Sequence, residues 1–71
     1  MKNLYFERRN GEIKEIKINI PEEEVIAEIH TAVAEMNPNY KIYYVRHWNT
    51  NGKTWYDIGS HVEFFFTEEA N

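Results

Sequence analysis

The chain has 71 residues, twelve acidic and eight basic, and carries a net charge of −4 at neutral pH. It has no cysteine, which excludes disulfides and thiolate metal sites. The length suits a single domain, and no apolar run is long enough for a membrane span. The charged start, MKNLYFERR, does not resemble the apolar block of a signal peptide, so we expect a cytoplasmic protein. A core this small supplies only about 3–5 kcal/mol of stability, which favours additional support from a metal, a partner chain or unusually good packing.

Residues 1–20 are typical of a β-hairpin, because two apolar segments flank Asn10-Gly11. A two-residue turn at this pair would mix apolar and charged side chains on one face. A three-residue loop with Gly11 left-handed pairs Arg8 with Glu12 instead and avoids this mixture. We predict the three-residue loop, with Leu4 opposite Ile16 and Ile13 on the exposed face. The apolar face then contains Leu4, Phe6, Ile16, Ile18 and Ile20.

Residues 21–36 predict an α-helix. Pro21 suits a first helical position, and the glutamates at 22–24 place negative charge at the positive end of the helix dipole. The segment Asn37-Pro38-Asn39 ends the helix. We expect Glu24, Glu28, Thr31 and Glu35 on the solvent side. The apolar stripe contains Val25, Ile26, Ile29, Ala32, Val33 and Met36.

Residues 40–67 predict a second hairpin, with an acidic tail at 68–71. A two-residue turn at Asn51-Gly52 pairs Thr50 with Lys53. This register sets Trp48 opposite Trp55, Arg46 opposite Asp57 and Tyr44 over Gly59, while the other face carries Tyr43, Val45, Ile58, Val62, Phe64 and Phe66.

The element order β-β-α-β-β predicts a small α+β domain of two layers, an antiparallel sheet with one helix across one face. The helix should cover a face that also carries apolar side chains from both hairpins. Those side chains are Leu4, Phe6, Ile16, Ile18, Val45, Ile58, Val62 and Phe64.

The sheet face opposite the helix is expected to be aromatic rather than polar. Tryptophan, tyrosine and arginine are enriched at binding hot spots, so we predict a partner-binding surface, with a homodimer first and a host protein second. A cross-strand tryptophan pair that merely stabilises the hairpin is the simpler alternative. A single-stranded nucleic-acid platform is the functional alternative, which the negative net charge disfavours. The predicted binding residues are Ile42, Tyr44, Arg46, Trp48, Trp55 and Phe65.

No residue pattern predicts catalysis, a metal site or a cofactor. The histidines, His30, His47 and His61, are not at ligand spacing. The paired carboxylates lie in the helix start and the tail, and the separated glycines form no phosphate-binding loop. The acidic helix face at Glu24, Glu28 and Glu35 has an ordinary charge density, which argues against a nucleic-acid mimic. We therefore expect a binding or regulatory protein and not an enzyme.

Two segments, EVIAEIHTAVAEMNP at 24–38 and WYDIGSHVEFFF at 55–66, carry a resemblance to a known family. Together with the length of the chain, they resemble the small Bacillus prophage family YopT. The resemblance implies a homodimer of protomers with one helix and few strands. The family has no assigned activity and supplies no functional residues to transfer.

Overall fold

The computed structural model describes residues 1–42, 45–60 and 62–70. A five-stranded antiparallel sheet has the strand order β2-β1-β5-β4-β3, so the last strand in sequence lies at its centre. The α+β class and the order β-β-α-β-β are confirmed. The elements are β1 Lys2–Glu7, β2 Ile13–Ile20, a 3₁₀ turn Glu22–Glu24, α1 Val25–Met36, β3 Arg46–Thr50, β4 Lys53–Asp57 and β5 Phe64–Glu69.

The first hairpin begins in the predicted register and then departs from it. The Arg8 N–H donates to the Glu12 carbonyl at 2.8 Å, and Gly11 has φ +89°, which confirms the three-residue loop. Further along, two register shifts place Lys17 opposite Leu4, so the predicted pairing of Leu4 with Ile16 is wrong. A bulge of this kind inserts a residue that side-chain alternation does not reveal.

The same irregularity changes which isoleucines of β2 are buried. Ile20 is buried, Ile16 is half-buried against the core, and Ile18 is exposed. Asn19 adopts φ +55° just before Ile20, a backbone conformation that breaks the alternation of the strand. The prediction that Ile18 belongs to the core is therefore wrong, whereas Ile13 is exposed as predicted.

The helix is confirmed, with its first turn tightened into the 3₁₀ form. Its buried residues are four of the predicted six, whereas Ile26 and Met36 at the edges of the stripe are exposed. Glu28 is not fully solvated, because its carboxylate accepts a bond from the Lys17 ammonium at 2.8 Å. The Asn37 N–H bonds the Val33 carbonyl at 2.8 Å and closes the helix where predicted.

The predicted hairpin over 40–67 consists of three strands. The Asn51-Gly52 turn is confirmed, with φ +51° and +77°, but the strand after it ends at Asp57. The chain then reverses and returns as β5. Gly59 has φ +102°, and the Ser60 hydroxyl donates to the Glu63 carbonyl at 2.6 Å and accepts its N–H at 3.1 Å. These bonds tie Ser60 to Glu63 at the reversal between β4 and β5.

The reversal changes the face of every residue that follows it. Phe65 lies in the core, and Phe64 and Phe66 lie on the opposite side, the reverse of the prediction. Val62 is exposed and does not meet the helix. The prediction of an acidic tail from residue 68 is also wrong, because Glu68 and Glu69 belong to β5. Glu69 forms an ion pair with Lys2.

The core lies between the helix and one sheet face. Phe65 and Phe6 pack with ring centroids 4.7 Å apart, and Ile42 and Val45 pack against the cluster. The buried apolar side chains in contact there are Leu4, Phe6, Ile20, Val25, Ile29, Ala32, Val33, Tyr56, Ile58 and Phe65.

Tyr56 makes the stability of this core dependent on pH. Burial raises the pKa of its phenol above the ordinary 10.0, and a hydrogen bond with Thr67 opposes this in part. The unfolded phenol ionises first as the pH rises, so the free energy of unfolding falls above about pH 10. We expect the urea midpoint to fall less steeply in Tyr56→Phe than in the wild type between about pH 9 and 11. Parallel slopes in the two proteins would contradict this.

Candidate functional site

A row of aromatic side chains crosses the sheet on the side away from the helix. Tyr5 on β1 lies directly opposite Phe66 on β5, Phe66 opposite Trp55 on β4, and Trp55 opposite Trp48 on β3. The Tyr5 and Phe66 rings stack at 5.1 Å, and the Phe66 and Trp55 rings are 4.8 Å apart. Phe64 meets both indoles edge-on, at 6.0 and 6.4 Å. These five residues are the aromatic face.

The row is straight because three strand pairings have matched registers. The Asn51-Gly52 turn fixes Trp48 opposite Trp55, since both turn residues have the positive φ of a type I′ hairpin. The β1–β5 and β4–β5 pairings then align Tyr5 and Phe66 with that pair. Edge-on and offset rings at these separations are the favoured aromatic geometries, worth about 0.5–1.5 kcal/mol per pair beyond their buried area.

Two cations lie over the aromatic rings at the β3–β4 end of the face. The Arg46 guanidinium is 5.7 Å from the Trp48 ring centroid, and the Lys53 ammonium is 4.7 Å from that of Phe66 and 5.9 Å from that of Trp55. Cations at such distances are attracted by the negative ring faces. The two charges are therefore held on the aromatic face itself.

A buried carboxylate anchors the Arg46 side of this face. Asp57 is fully buried, and its Oδ2 accepts a bond from Arg46 Nη2 at 3.1 Å. Its Oδ1 accepts the Gly59 N–H at 2.8 Å. The same side chain thus ties the exposed strand β3 to the turn that follows β4. The predicted pairing of Arg46 with Asp57 is confirmed.

Carboxylates and cations both lie on this side of the sheet. Glu7 and Glu15 lie on β1 and β2, where their strand partners are Phe64 and Tyr5, while the cations Arg46 and Lys53 lie on β3 and β4. Asp57 on β4 and Glu68 on the central strand β5 lie on this side as well, so carboxylates are present beside both cations.

The rings are buried at the centre of the face and open at its edge. Phe66 is only 2% exposed because its neighbours on both sides cover it, whereas Trp48 is 37% exposed. Ile13, across from Glu7 on β2, is also exposed. Apolar surface is thus open at the two edges of the face, at Trp48 and Ile13, and exposed apolar surface on a sheet whose other face is covered is typical of an interface.

The structure corrects two of the predicted binding residues. Trp48, Trp55 and Arg46 lie on the aromatic face as predicted. Phe65 is instead buried under the helix, and Ile42 packs against that same core. Tyr44 lies outside the described residues, so its predicted position over Gly59 stays a prediction.

Sequence reasoning missed Tyr5, Phe64 and Phe66. Tyr5 lies between Leu4 and Phe6 on β1. Because the hairpin prediction put Leu4 and Phe6 on the face toward the helix, it also implied that Tyr5 lies on the opposite face. For Phe64 and Phe66, the missed signal was the Gly59-Ser60 pair. It marks the end of one strand, after which the alternation of side chains between the two sheet faces begins anew.

Other kinds of site find little support among the described residues. Within 1–42, 45–60 and 62–70, no group of three histidine, aspartate or glutamate side chains is placed to hold a metal ion. His30 and His47 are exposed, and His61 lies outside the described part of the chain. None of the described helical segments is long and apolar enough to span a bilayer.

Comparison with models of known protein families, with curated proteins and with solved structures finds no match for this chain. The resemblance to the YopT family therefore stays a prediction.

Proposed function

We propose that this protein is a small non-enzymatic binding protein that forms a homodimer by packing its aromatic face against the same face of a second copy. The observation that carries the proposal is the row from Tyr5 to Trp48 on the sheet side that the helix leaves uncovered. A second protomer would bury Trp48 and the partly exposed rings of Tyr5, Trp55 and Phe64, and so add to a core that is thin in the monomer. A homodimer is also what the YopT resemblance implies.

The two-fold symmetric arrangement follows from the order of the strands. An axis parallel to the strands, between β4 and β5, places β3 of one protomer over β1 of the other and β4 over β5. Trp48 then meets the second copy's Tyr5, and Trp55 lies over the β5 position of its Phe66, whose ring is already covered by its own neighbours. Sheets that pack face to face keep their strands within about 30° of parallel, so this alignment is compatible with normal sheet twist.

The charges are complementary in the same arrangement. Arg46 on β3 lies in the same row across the sheet as Glu7 on β1. Lys53 on β4 lies in the same row as Glu68 on β5, because the neighbouring residues Thr54 and Thr67 are paired. The axis therefore brings Arg46 to the second copy's Glu7 and Lys53 to its Glu68. Complementary charges of this kind select the register of an interface.

A single-stranded nucleic acid is a poorer occupant of the same surface. Its bases would stack on the rings, but its phosphates would meet the carboxylates of Glu7, Glu15 and Glu68, whose strand partners include Phe64, Tyr5 and Asn3. The net charge of −4 adds a general repulsion.

The double substitution Trp48→Ala with Trp55→Ala is expected to convert the dimer into a monomer in sedimentation equilibrium. A buried tryptophan at the centre of an interface contributes about 2 kcal/mol or more, so removing both lowers the association constant by more than about a hundredfold. His47→Ala is the matched control, because His47 is exposed on β3 between Arg46 and Trp48 but pairs with the core residue Tyr56. It should leave the dimer intact.

A charge exchange tests the geometry. Lys53→Glu and Glu68→Lys should each weaken the dimer, and the two together should restore it. A wild type that is monomeric at about 100 μM, with the red-shifted emission of exposed indole, would refute the proposal. If such a monomer bound oligothymidylate with strong salt dependence, the single-stranded nucleic-acid binder would replace the homodimer as the proposed function.

A further inference from the structure

A cavity of about 390 Å³ opens on the helix side of the sheet. It lies between the C-terminal end of α1, the turn after β4 and the end of the first hairpin. Phe6, Val33 and Ile58 form its apolar part, and all three belong to the core cluster. Arg8, Lys14 and Glu63 contribute charged side chains. The cavity is thus separate from the aromatic face.

The charge of the cavity is opposite to that of the whole chain. Arg8 and Lys14 bring two cations to it, and Lys14 lies directly opposite Phe6 in the β1–β2 register, beside the apolar part. Glu63 is the one carboxylate among the described lining residues, and its Oε2 already accepts the Arg9 N–H at 3.4 Å.

The ion pair of Arg8 leaves its guanidinium able to take another partner. Its contact with the Glu12 carboxylate is 3.8 Å long, and both side chains are more than half exposed. Such surface pairs contribute about 1 kcal/mol or less and exchange readily. Arginine also presents several donors in a planar fork, which suits a second carboxylate.

We propose that this cavity binds a small organic anion with an apolar body, such as a medium-chain or aromatic carboxylate. The apolar body lies against the exposed side chains of Met36 and Tyr40, over a floor of buried core residues, and the carboxylate accepts hydrogen bonds from Arg8 and Lys14. The volume is near the lower end of the roughly 300–1,000 Å³ range of ligand pockets, so the ligand is smaller than a typical drug. This site does not depend on self-association.

The test is a titration of the ¹⁵N-labelled protein with octanoate, followed by amide chemical shifts. We expect saturable shifts at residues lining the cavity, with 1-octanol, which lacks the charge, binding about tenfold more weakly. Acetate, which lacks the apolar body, should give no saturable shift at these residues. Lys14→Gln should weaken octanoate binding about tenfold, since it removes a charge-assisted hydrogen bond.

Lys17→Gln is the matched control, because it makes the same charge change on the same strand at a residue that pairs with Glu28 outside the cavity. Its octanoate affinity should equal that of the wild type. Equal binding of octanoate and octanol, equal effects of the two lysine substitutions, or no saturable shift with octanoate would each overturn the proposal.

Discussion

The substitution Phe65→Ala is expected to leave the protein largely unfolded at 25 °C by far-ultraviolet circular dichroism. Phe65 is fully buried on the central strand, with its ring against that of Phe6. Removing such a ring costs about 3–5 kcal/mol, through lost burial and the cavity left behind. That is as much as the roughly 3–5 kcal/mol that a core of this size supplies.

Phe64→Ala is the matched control, one residue earlier on the same strand. Phe64 is partly exposed and meets the indoles of Trp48 and Trp55 on the aromatic face. Its removal should keep the fold and weaken self-association. The opposite outcome, an unfolded Phe64→Ala and a folded Phe65→Ala, would mean that β5 presents its faces the other way round.

Ile29→Ala should destabilise the protein by about 2–5 kcal/mol, measured as a loss of unfolding free energy in urea. Ile29 is fully buried at the middle of the helix stripe, where it packs among the sheet residues of the core. Dilute protein should be used for the measurement, since dimer formation would add stability that depends on concentration.

Ile26→Ala makes the same chemical change on the same helix at a residue that is 39% exposed. The loss there should be well under that at Ile29, because much of the side chain is already in water. Equal losses at the two positions would mean that the helix contacts the sheet through a different stripe.

The candidate site could be predicted in part. The sequence places Trp48, Trp55 and Arg46 together, because an Asn-Gly turn fixes the register of its hairpin over short range. Each further strand follows another connecting segment, and each such segment can change which side chains of the strand face the core. Phe64, Phe65 and Phe66 were therefore assigned to the wrong faces, although an aromatic face as such was predicted.

The sequence by itself determined the local structure: the loop at Gly11, the helix with its buried stripe, and the hairpin at Asn51-Gly52. Each depends on residues a few positions apart, so periodicity and turn chemistry suffice to specify it. Only the tertiary structure decided that β5 lies between β1 and β4, and that its aromatic residues complete a row with Tyr5. Pairing between strands far apart in sequence depends on packing across the whole sheet, where a bulge or a tight turn changes the face of every later residue.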